Sequence, residues 1–310
     1  MTKMRPPSGN QATISFGDQK VTTTSVGGGL RRYTKDETEV VEGFEENSIA
    51  DSTRGQTMIP WPNRIRGARY HWAGKAYQLD LSEARNNNAI HGLTRWQNFE
   101  LVRSTQESVT YELFLPPTTS WPFMLLCQIR YDIGEAGLRV ETTIKNIGDT
   151  PAPLATGAHP YISLFGEKID QLKLQSPAHS YFEKDDQAIP IAKKEVEDTI
   201  YDFRKNKKIA SVALDHTFSD IDRDKDGLAR ITLSNDTDSK TTLWMDESYQ
   251  YLQLYSGDTL PDAKRRRHSI AIEPMSAPPD AFNSGVDLIK LEPEETKSFT
   301  WGIEPNLIKS

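Results

Sequence analysis

Three short segments concentrate the residues of this sequence that could carry acid–base or binding chemistry. The first covers residues 60–67 and continues at 86–96, the second covers 156–161, and the third covers 271–283. Each combines titratable side chains with prolines, and both His159 and Glu273 stand directly before a proline. Because the residue before a proline is held extended, these loops are stiff and fix the direction of neighbouring side chains. Stiff loops on a β scaffold commonly carry binding and catalytic groups.

A glutamate and two histidines in these segments could act as a general base and a general acid: Glu273, His159 and His91. Glu273 lies between Ile272 and Pro274, and a carboxylate in apolar surroundings is unfavourable unless it has a partner or a function. Histidine titrates at about 6.5 and can therefore exchange protons near neutral pH. Taken singly, each histidine could instead be structural, and the glutamate could be a solvated residue at the end of a strand.

Alternation of apolar and polar residues predicts the elements that must position these groups. It is clear in three runs: Leu138, Val140, Thr142 and Ile144; Val109, Tyr111, Leu113 and Leu115; and Phe299, Trp301 and Ile303. Residues 124–133 are more continuously apolar, which predicts a strand buried on both faces. Turn signals recur at short intervals, and the best helical segment is a short one at residues 80–85. The sequence therefore predicts an all-β fold, a large antiparallel β-sandwich with few short helices.

One domain is predicted over residues 11–305, with residues 1–10 as a flexible N-terminal arm. The polar region 183–208 is interpreted as an excursion from the sandwich. The chain has 310 residues and a net charge of −7, which disfavours a nucleic acid or an anionic membrane as partner. Its single cysteine, Cys127, allows no intrachain disulfide, and neither a membrane-spanning run nor a signal-like start is evident. These features predict a cytoplasmic protein.

Five motifs of the chain resemble, in order and spacing, those of the aldose 1-epimerases, also called galactose mutarotases. They are Asn63-Arg64-Ile65 with Gly67, Ile90-His91-Gly92, His159-Pro160-Tyr161, Asp215-His216-Thr217-Phe218, and the stretch from Glu273-Pro274-Met275 to Asn283. Any one of these motifs alone would be unspecific, but five in the right order are specific. The resemblance extends over residues 11–303.

The resemblance implies a β-sandwich of the galactose-mutarotase type and an isomerase that interconverts the α- and β-anomers of a free aldohexose such as galactose or glucose. It implies Glu273 as the base, His159 as the acid, and His91 as a second histidine near the ring oxygen. Arg64 and Asp215 match positions that hold sugar hydroxyls. The expected partner is a monosaccharide, with no metal or organic cofactor, and the protein is expected to be a monomer or homodimer.

Four further residues are predicted to contact the sugar. Asn63 belongs to the first motif, and Gln253 could donate or accept a hydrogen bond. Trp96 and Tyr255 could stack on an apolar face of the sugar, although either ring could instead belong to the core.

Other functions remain open from the sequence. Several arginines around the first segment could bind an anionic sugar, a phosphate or sulfonate: Arg64, Arg66, Arg69, Arg85 and Arg95. A non-catalytic carbohydrate-binding protein is a second alternative, and a glycosidase using Glu273 and Asp215 is a third. The segment 222–227 resembles the first half of a calcium loop, but Leu233 stands where such a loop needs glutamate, so a hairpin turn is predicted there.

Overall fold

The computed structural model of the protein describes residues 6–308 and consists mostly of strands. Strands make up 48% of the chain and helices 5%, which confirms the predicted all-β class. The strands, in chain order, are β1 (Gln11–Phe16), β2 (Gln19–Thr24), β3 (Gly29–Lys35), β4 (Thr38–Val41), β5 (Thr57–Met58), β6 (Arg64–Arg66), β7 (Arg69–Trp72), β8 (Lys75–Gln78), β9 (Asn88–Ile90), β10 (Glu100–Ser104), β11 (Ser108–Leu115), β12 (Leu125–Gly134), β13 (Gly137–Asn146), β14 (Ala152–Leu154), β15 (Gly157–Ala158), β16 (Tyr161–Ile162), β17 (Lys173–Gln175), β18 (Ala178–Lys184), β19 (Pro190–Glu195), β20 (Lys207–Lys208), β21 (Asp215–Ile221), β22 (Ala229–Ser234), β23 (Lys240–Met245), β24 (Tyr251–Tyr255), β25 (Ile270–Met275), β26 (Ile289–Leu291) and β27 (Thr296–Asn306).

Helices are few and short. One α-helix, α1, spans Ala281–Ser284, and 3-10 helices span Asp51–Thr53, Ala84–Asn86, Ile169–Gln171 and Ala263–Arg265. The helical segment predicted at 80–85 thus overlaps only the start of one such turn. Over residues 6–308, no helix is long and apolar enough to cross a membrane.

Two large antiparallel sheets carry the fold. The first has 12 strands, in the order β1-β2-β3-β4-β16-β25-β24-β21-β18-β19, with β5 and β15 paired beside β25. The second has 9 strands, in the order β10-β11-β12-β13-β27-β23-β22-β17-β20. Small two-stranded ribbons, including β6-β9, lie outside them. Strands β16, β25, β24 and β21 are consecutive in the first sheet. They carry the third motif, the fifth motif, Gln253 with Tyr255, and the fourth motif, so this strand order brings distant parts of the chain together.

The buried core follows the alternation of the strands. In β13 the apolar set from Leu138 to Ile144 faces inward, and Val140 pairs with Trp301 of β27. The prediction that residues 124–133 are buried on both faces is wrong, because β12 buries only every second residue. Its outward positions carry polar side chains such as Gln128 and Arg130, which stay at the surface. All six residues of β25 are buried instead.

Two predicted surface segments are attached to the first sheet. In the region 183–208, β19 pairs with β18, so part of the predicted excursion extends the edge of that sheet. Residues 1–5 of the predicted arm lie outside the described part of the chain. In residues 6–10, Ser8 is buried, and the backbone amide of Asn10 donates to the Ser25 hydroxyl over 2.9 Å. This part of the predicted arm therefore packs against β2 and its following turn.

Candidate active site

Three neighbouring strands of the first sheet bring two carboxyl groups and one amide side chain together. The register pairs Gln253 of β24 with Glu273 of β25, and Asp215 of β21 with Tyr255 of β24. Because side chains two residues apart on a strand share a face, Gln253 and Tyr255 point to the same side. Residues 215, 253 and 273 are far apart in sequence, and only this strand order makes them neighbours.

The first segment places an arginine beside a histidine. Strand β6 pairs with β9 so that Arg64 is opposite Ile90, the residue before His91. The backbone amide of His91 donates to the Asn63 carbonyl over 2.8 Å. Gly92 follows with a φ of +72°, and a Cβ at this position would lie 2.1 Å from the carbonyl oxygen of Ile59. The motif therefore needs glycine after the histidine, because no other residue fits this backbone approach.

The third segment is tied back onto the first by Asp280. The amide of Asp280 donates to the Arg64 carbonyl over 2.7 Å, and its carboxylate accepts from the amide of Arg66 over 2.9 Å. The proline-rich loop after Glu273 thus braces the strand that carries Arg64. This contact explains why the two segments belong to one site.

These elements enclose a cleft of about 280 Å³. This volume is near the lower end of ligand pockets, about 300–1,000 Å³, and suits a small ligand. The cleft contains eight of the nine predicted site residues: Glu273, His159, His91, Arg64, Asp215, Asn63, Gln253 and Tyr255. Trp96 is not among the lining residues; it is 49% exposed, and the Arg95 guanidinium lies 5.5 Å from the centre of its ring.

A buried carboxyl–imidazole pair forms the centre of the cleft. The Nε2 atom of His159 lies 3.3 Å from Oε1 of Glu273, and both residues are nearly inaccessible, at 5% and 2% exposure. The ring of His91 lies edge-on to that of His159, with 5.3 Å between centroids. The remaining carboxyl oxygen of Glu273 and the Nδ1 atoms of both histidines have no hydrogen-bond partner among residues 6–308. Buried polar atoms normally have partners, so these atoms are available to a polar ligand.

Burial sets the direction of the pKa shifts in this pair. It raises the pKa of Glu273 well above 4.5; the charge of Asp215 adds to the rise, and that of Arg64 opposes it. Burial lowers the pKa of His159 to about 3, and the Arg54 guanidinium acts in the same direction. The pKa of His91 is also held well below 6.5, first by burial and then by His159. The pair therefore favours a neutral form with one proton, carried by the carboxyl group.

Asp215 is fixed as a hydrogen-bond acceptor. Its carboxylate accepts from the Gln253 amide over 2.9 Å and is paired with the ammonium group of Lys184. Gln253 in turn accepts from the Thr217 hydroxyl over 2.6 Å, which settles the orientation of its amide. Burial alone would raise the pKa of Asp215, but Lys184 lowers it below the ordinary value, so this carboxylate is charged.

Arg64 is held in one orientation by a bidentate ion pair. Its Nε and one terminal nitrogen each lie 2.8 Å from an oxygen of Glu83. The other terminal nitrogen is 3.3 Å from the Asn63 side-chain oxygen. A fork–fork pair of this kind fixes the guanidinium plane, leaving its edge to donate to a ligand.

An arginine beneath the site supports His159 through a stack of rings. The carbon of the Arg54 guanidinium lies 3.9 Å from the centre of the Tyr161 ring, and that ring stacks on His159 with 5.1 Å between centroids. Arg54 is fully buried and pairs with Glu42 over 3.0 Å. The stack fixes the plane of the His159 ring and places a positive charge behind it.

Sequence reasoning missed several residues of the cleft: Ser52, Thr53, Tyr161, Thr259 and, except as one of five arginines, Arg95. Tyr161 belongs to the third motif, and its closeness to His159 in the sequence could have indicated that it lies in the site. Ser52 and Thr53 lie in a short 3-10 turn with left-handed backbone, and nothing local in the sequence marks them as site residues.

A larger cleft of about 790 Å³ lies beside β4, and no histidine is among the described residues that line it. Its charged groups bind one another, as in the pairs Glu42–Arg265 at 2.8 Å and Arg32–Glu39 at 3.0 Å. Among residues 6–308, the buried carboxyl–imidazole contact lies in the smaller cleft and not in this one, so the smaller cleft is the candidate active site.

The calcium-like segment 222–227 is a turn in which Arg230 is the partner of the carboxylates. Asp224 and Asp226 each lie 2.6 Å from its guanidinium. Across residues 6–308, no cluster of three or more histidine, cysteine, aspartate or glutamate side chains is arranged to hold a metal ion.

The sequence matches the family description for aldose 1-epimerase over residues 11–304, and the chain belongs to this family. An uncharacterised protein of Escherichia coli, YihR, is 35% identical over 92% of this chain and 90% of its own length. The fold is similar to that of a GalM/aldose epimerase homologue from C. elegans, with a TM-score of 0.83, 22% identity and coverage of 97% of this chain and 100% of that one. It is also similar to galactose 1-epimerase from Lactobacillus acidophilus, with a TM-score of 0.78, 20% identity and coverage of 96% and 99%. The family resemblance drawn from the five motifs is thereby confirmed.

Proposed function

We propose that the protein interconverts the α- and β-anomers of a free aldohexose by opening and reclosing the sugar ring. The observation that carries this proposal is the buried contact between Glu273 and His159, 3.3 Å apart, in a cleft of monosaccharide size. Ring opening removes a proton from the anomeric hydroxyl and adds one to the ring oxygen. These two oxygens share one carbon, so a base and an acid that serve both must be close neighbours.

Glu273 acts as the base and His159 as the acid. Transfer of the shared proton across their contact gives a carboxylate and an imidazolium. The carboxylate then removes the proton from the anomeric oxygen while the imidazolium protonates the ring oxygen, and the C1–O5 bond breaks to give the open-chain aldehyde. Rotation about the C1–C2 bond presents the other face of the carbonyl. Reclosure uses the same groups in reversed roles, so no net proton is gained or lost.

The polar lining holds the sugar through this sequence. Asp215 accepts from hydroxyl groups, while Arg64 and the Asn63 amide donate to them; Gln253 and Tyr255 complete the wall. His91, whose ring is edge-on to that of His159, bonds the ring-oxygen side of the sugar in this proposal. Fixed partners of this kind keep the open chain in place for reclosure. Cleavage and re-formation of the C1–O5 bond change no oxidation state overall and need only proton transfer to and from Glu273 and His159, so the proposed reaction requires no cofactor.

Exchange NMR between the two anomers tests the proposal with glucose and galactose. The wild type should accelerate exchange above the spontaneous rate, and Glu273→Gln should lower kcat by about 10²–10⁴, as loss of a general base does. The matched control is Glu135→Gln, which removes an exposed carboxylate in the turn between β12 and β13 and should leave the rate unchanged. Saturable binding without exchange would instead indicate a carbohydrate-binding protein, and hydrolysis of an aryl glycoside would indicate a glycosidase.

A further inference from the structure

Arg95 lines the cleft without a carboxylate partner. Its side chain makes one hydrogen bond, from Nη1 to the Thr53 hydroxyl over 3.3 Å, and its guanidinium lies over the Trp96 ring. Its backbone is also held, because the Gln56 amide donates to its carbonyl oxygen. Among residues 6–308, no Asp or Glu side chain lies within ion-pair distance of it. A partly buried guanidinium with one weak polar partner is available to an anion.

The other charges of the site are already compensated within the protein. Arg64 is paired with Glu83, Lys184 with Asp215, and Arg54 with Glu42. Burial lowers the pKa of Arg95, and the charge of Glu83 opposes this, so Arg95 remains a cation.

Glu273 is the remaining carboxyl group in the lining, and its raised pKa means that it supplies little negative charge in the resting site. Among the described lining residues, Arg95 is therefore the one uncompensated positive charge of the cleft.

Arg95 follows His91 by four residues and lines the same cleft as both histidines. Its charge contributes to the lowered pKa values of both His91 and His159, after the larger effect of burial. In the proposed reaction His159 serves the ring oxygen, which is bonded to C5. The C6 group is also bonded to C5, so it extends from the same side of the sugar. A substituent on C6 thus faces the arginine.

We propose that Arg95 forms an anion subsite, and that the preferred substrate is an aldohexose with an anionic group on C6. This inference rests on the proposed anomer exchange and adds the substrate class. A C6 phosphate, sulfonate or carboxylate shares the chemistry, because each presents oxygens in a plane or cone that a guanidinium can bind with two N–H groups. Trp96 then acts on the arginine rather than on the sugar: its ring lies against Arg95 outside the cleft.

The test compares anomer exchange by NMR for glucose, glucose 6-phosphate, 6-deoxy-6-sulfoglucose and glucuronate. The wild type should show a kcat/KM about 10- to 100-fold higher for at least one charged sugar than for glucose, as expected of a charge-assisted contact. The sugar with the largest ratio identifies the anionic group. Arg95→Gln should abolish this preference, mainly through a rise in KM for the charged sugar, so that the kcat/KM ratio of charged sugar to glucose within this variant falls to about 1.

Two further variants make the result decisive. Arg95→Lys keeps the charge but loses the fork, so it should retain part of the preference and serves if the glutamine variant does not fold. Arg103→Gln, an exposed arginine on β10, is the matched control and should leave the preference intact. Exchange of glucose with no gain for any charged sugar, or a preference that survives in Arg95→Gln, would overturn the anion subsite and leave the proposed function standing. Absence of exchange with every sugar would overturn both.

Discussion

Replacing Glu273 by glutamine should stabilise the protein while it lowers turnover, and the gain in stability should grow with pH. Glu273 is 2% exposed, and its raised pKa means that the folded state retains a proton that the unfolded state loses. Glutamine reproduces the shape of the protonated carboxyl, and its amide can donate to Nε2 of His159 as the carboxyl does. The variant therefore keeps the folded contacts without the ionisable group.

The sign and size follow from proton linkage. Below the ordinary pKa of 4.5, Glu273 is protonated in both states, so the stability difference between wild type and variant does not change with pH. Above it, the unfolded carboxyl ionises while the folded one does not. The wild type then loses stability relative to the variant by up to about 1.4 kcal/mol per pH unit, the limit for one proton. This loss continues until the pH passes the pKa of the folded state. The histidines are common to both proteins and cancel in the difference.

Urea denaturation followed by tryptophan fluorescence, at intervals between pH 4 and 8, measures this difference. The Glu135→Gln variant is the control, and its difference from wild type should be flat because that side chain is exposed in its turn. A flat difference for Glu273→Gln, or one that falls as the pH rises, would show that Glu273 is ionised in the folded protein. The reasoning about the neutral pair would then be refuted.

The remaining predictions concern the surroundings of the pair. The exchange rate should be maximal while the Glu273–His159 pair holds one proton. It should fall on the acid side as His159 is protonated near its pKa of about 3, and on the alkaline side as Glu273 loses its proton, well above 4.5. A pH profile of kcat/KM checks both limbs. Arg54→Met should lower kcat more than it changes KM. It should also move the acid limb to higher pH, because the buried charge behind Tyr161 no longer disfavours the imidazolium form of His159. An unmoved acid limb would mean that Arg54 is purely structural. Gly92→Ala should lower the free energy of unfolding by about 1–3 kcal/mol or more in urea titrations, because its Cβ would collide with a backbone carbonyl.

The strands could be predicted because side-chain alternation is a local property. Val140 and Trp301 belong to runs that the alternation of apolar and polar residues alone predicts to be strands, and the structure pairs them across β13 and β27. Burial on both faces could not be predicted in this way. The apolar run at 124–133 is interrupted by Gln128 and Arg130, which face outward, whereas the fully buried β25 contains Glu273 and was recognised only as a motif.

The site was predicted from its motifs, and its supports were not. Glu273, His159 and Arg64 stand in recognisable sequence contexts that the strand order then brings together. Arg54 and Lys184 have no such context. Arg54 acts through its contact with Tyr161 and Lys184 through its ion pair with Asp215, and both partners lie more than 30 residues further along the chain. Arg95 and Trp96 are adjacent in sequence, yet Arg95 lines the cleft and Trp96 does not, and nothing local in the sequence marks this difference.

The central claim is that Glu273 and His159 act as one proton-exchanging unit on the anomeric centre. The direct test is anomer exchange by NMR for the wild type, Glu273→Gln, His159→Gln and the double variant, with the best sugar found for the wild type. Groups that act as a unit are not additive, so each single variant should lose about 10²–10⁴ in kcat, and the double variant should be no slower than the slower single variant. Losses that multiply in the double variant, or a single variant with full activity, would contradict the account.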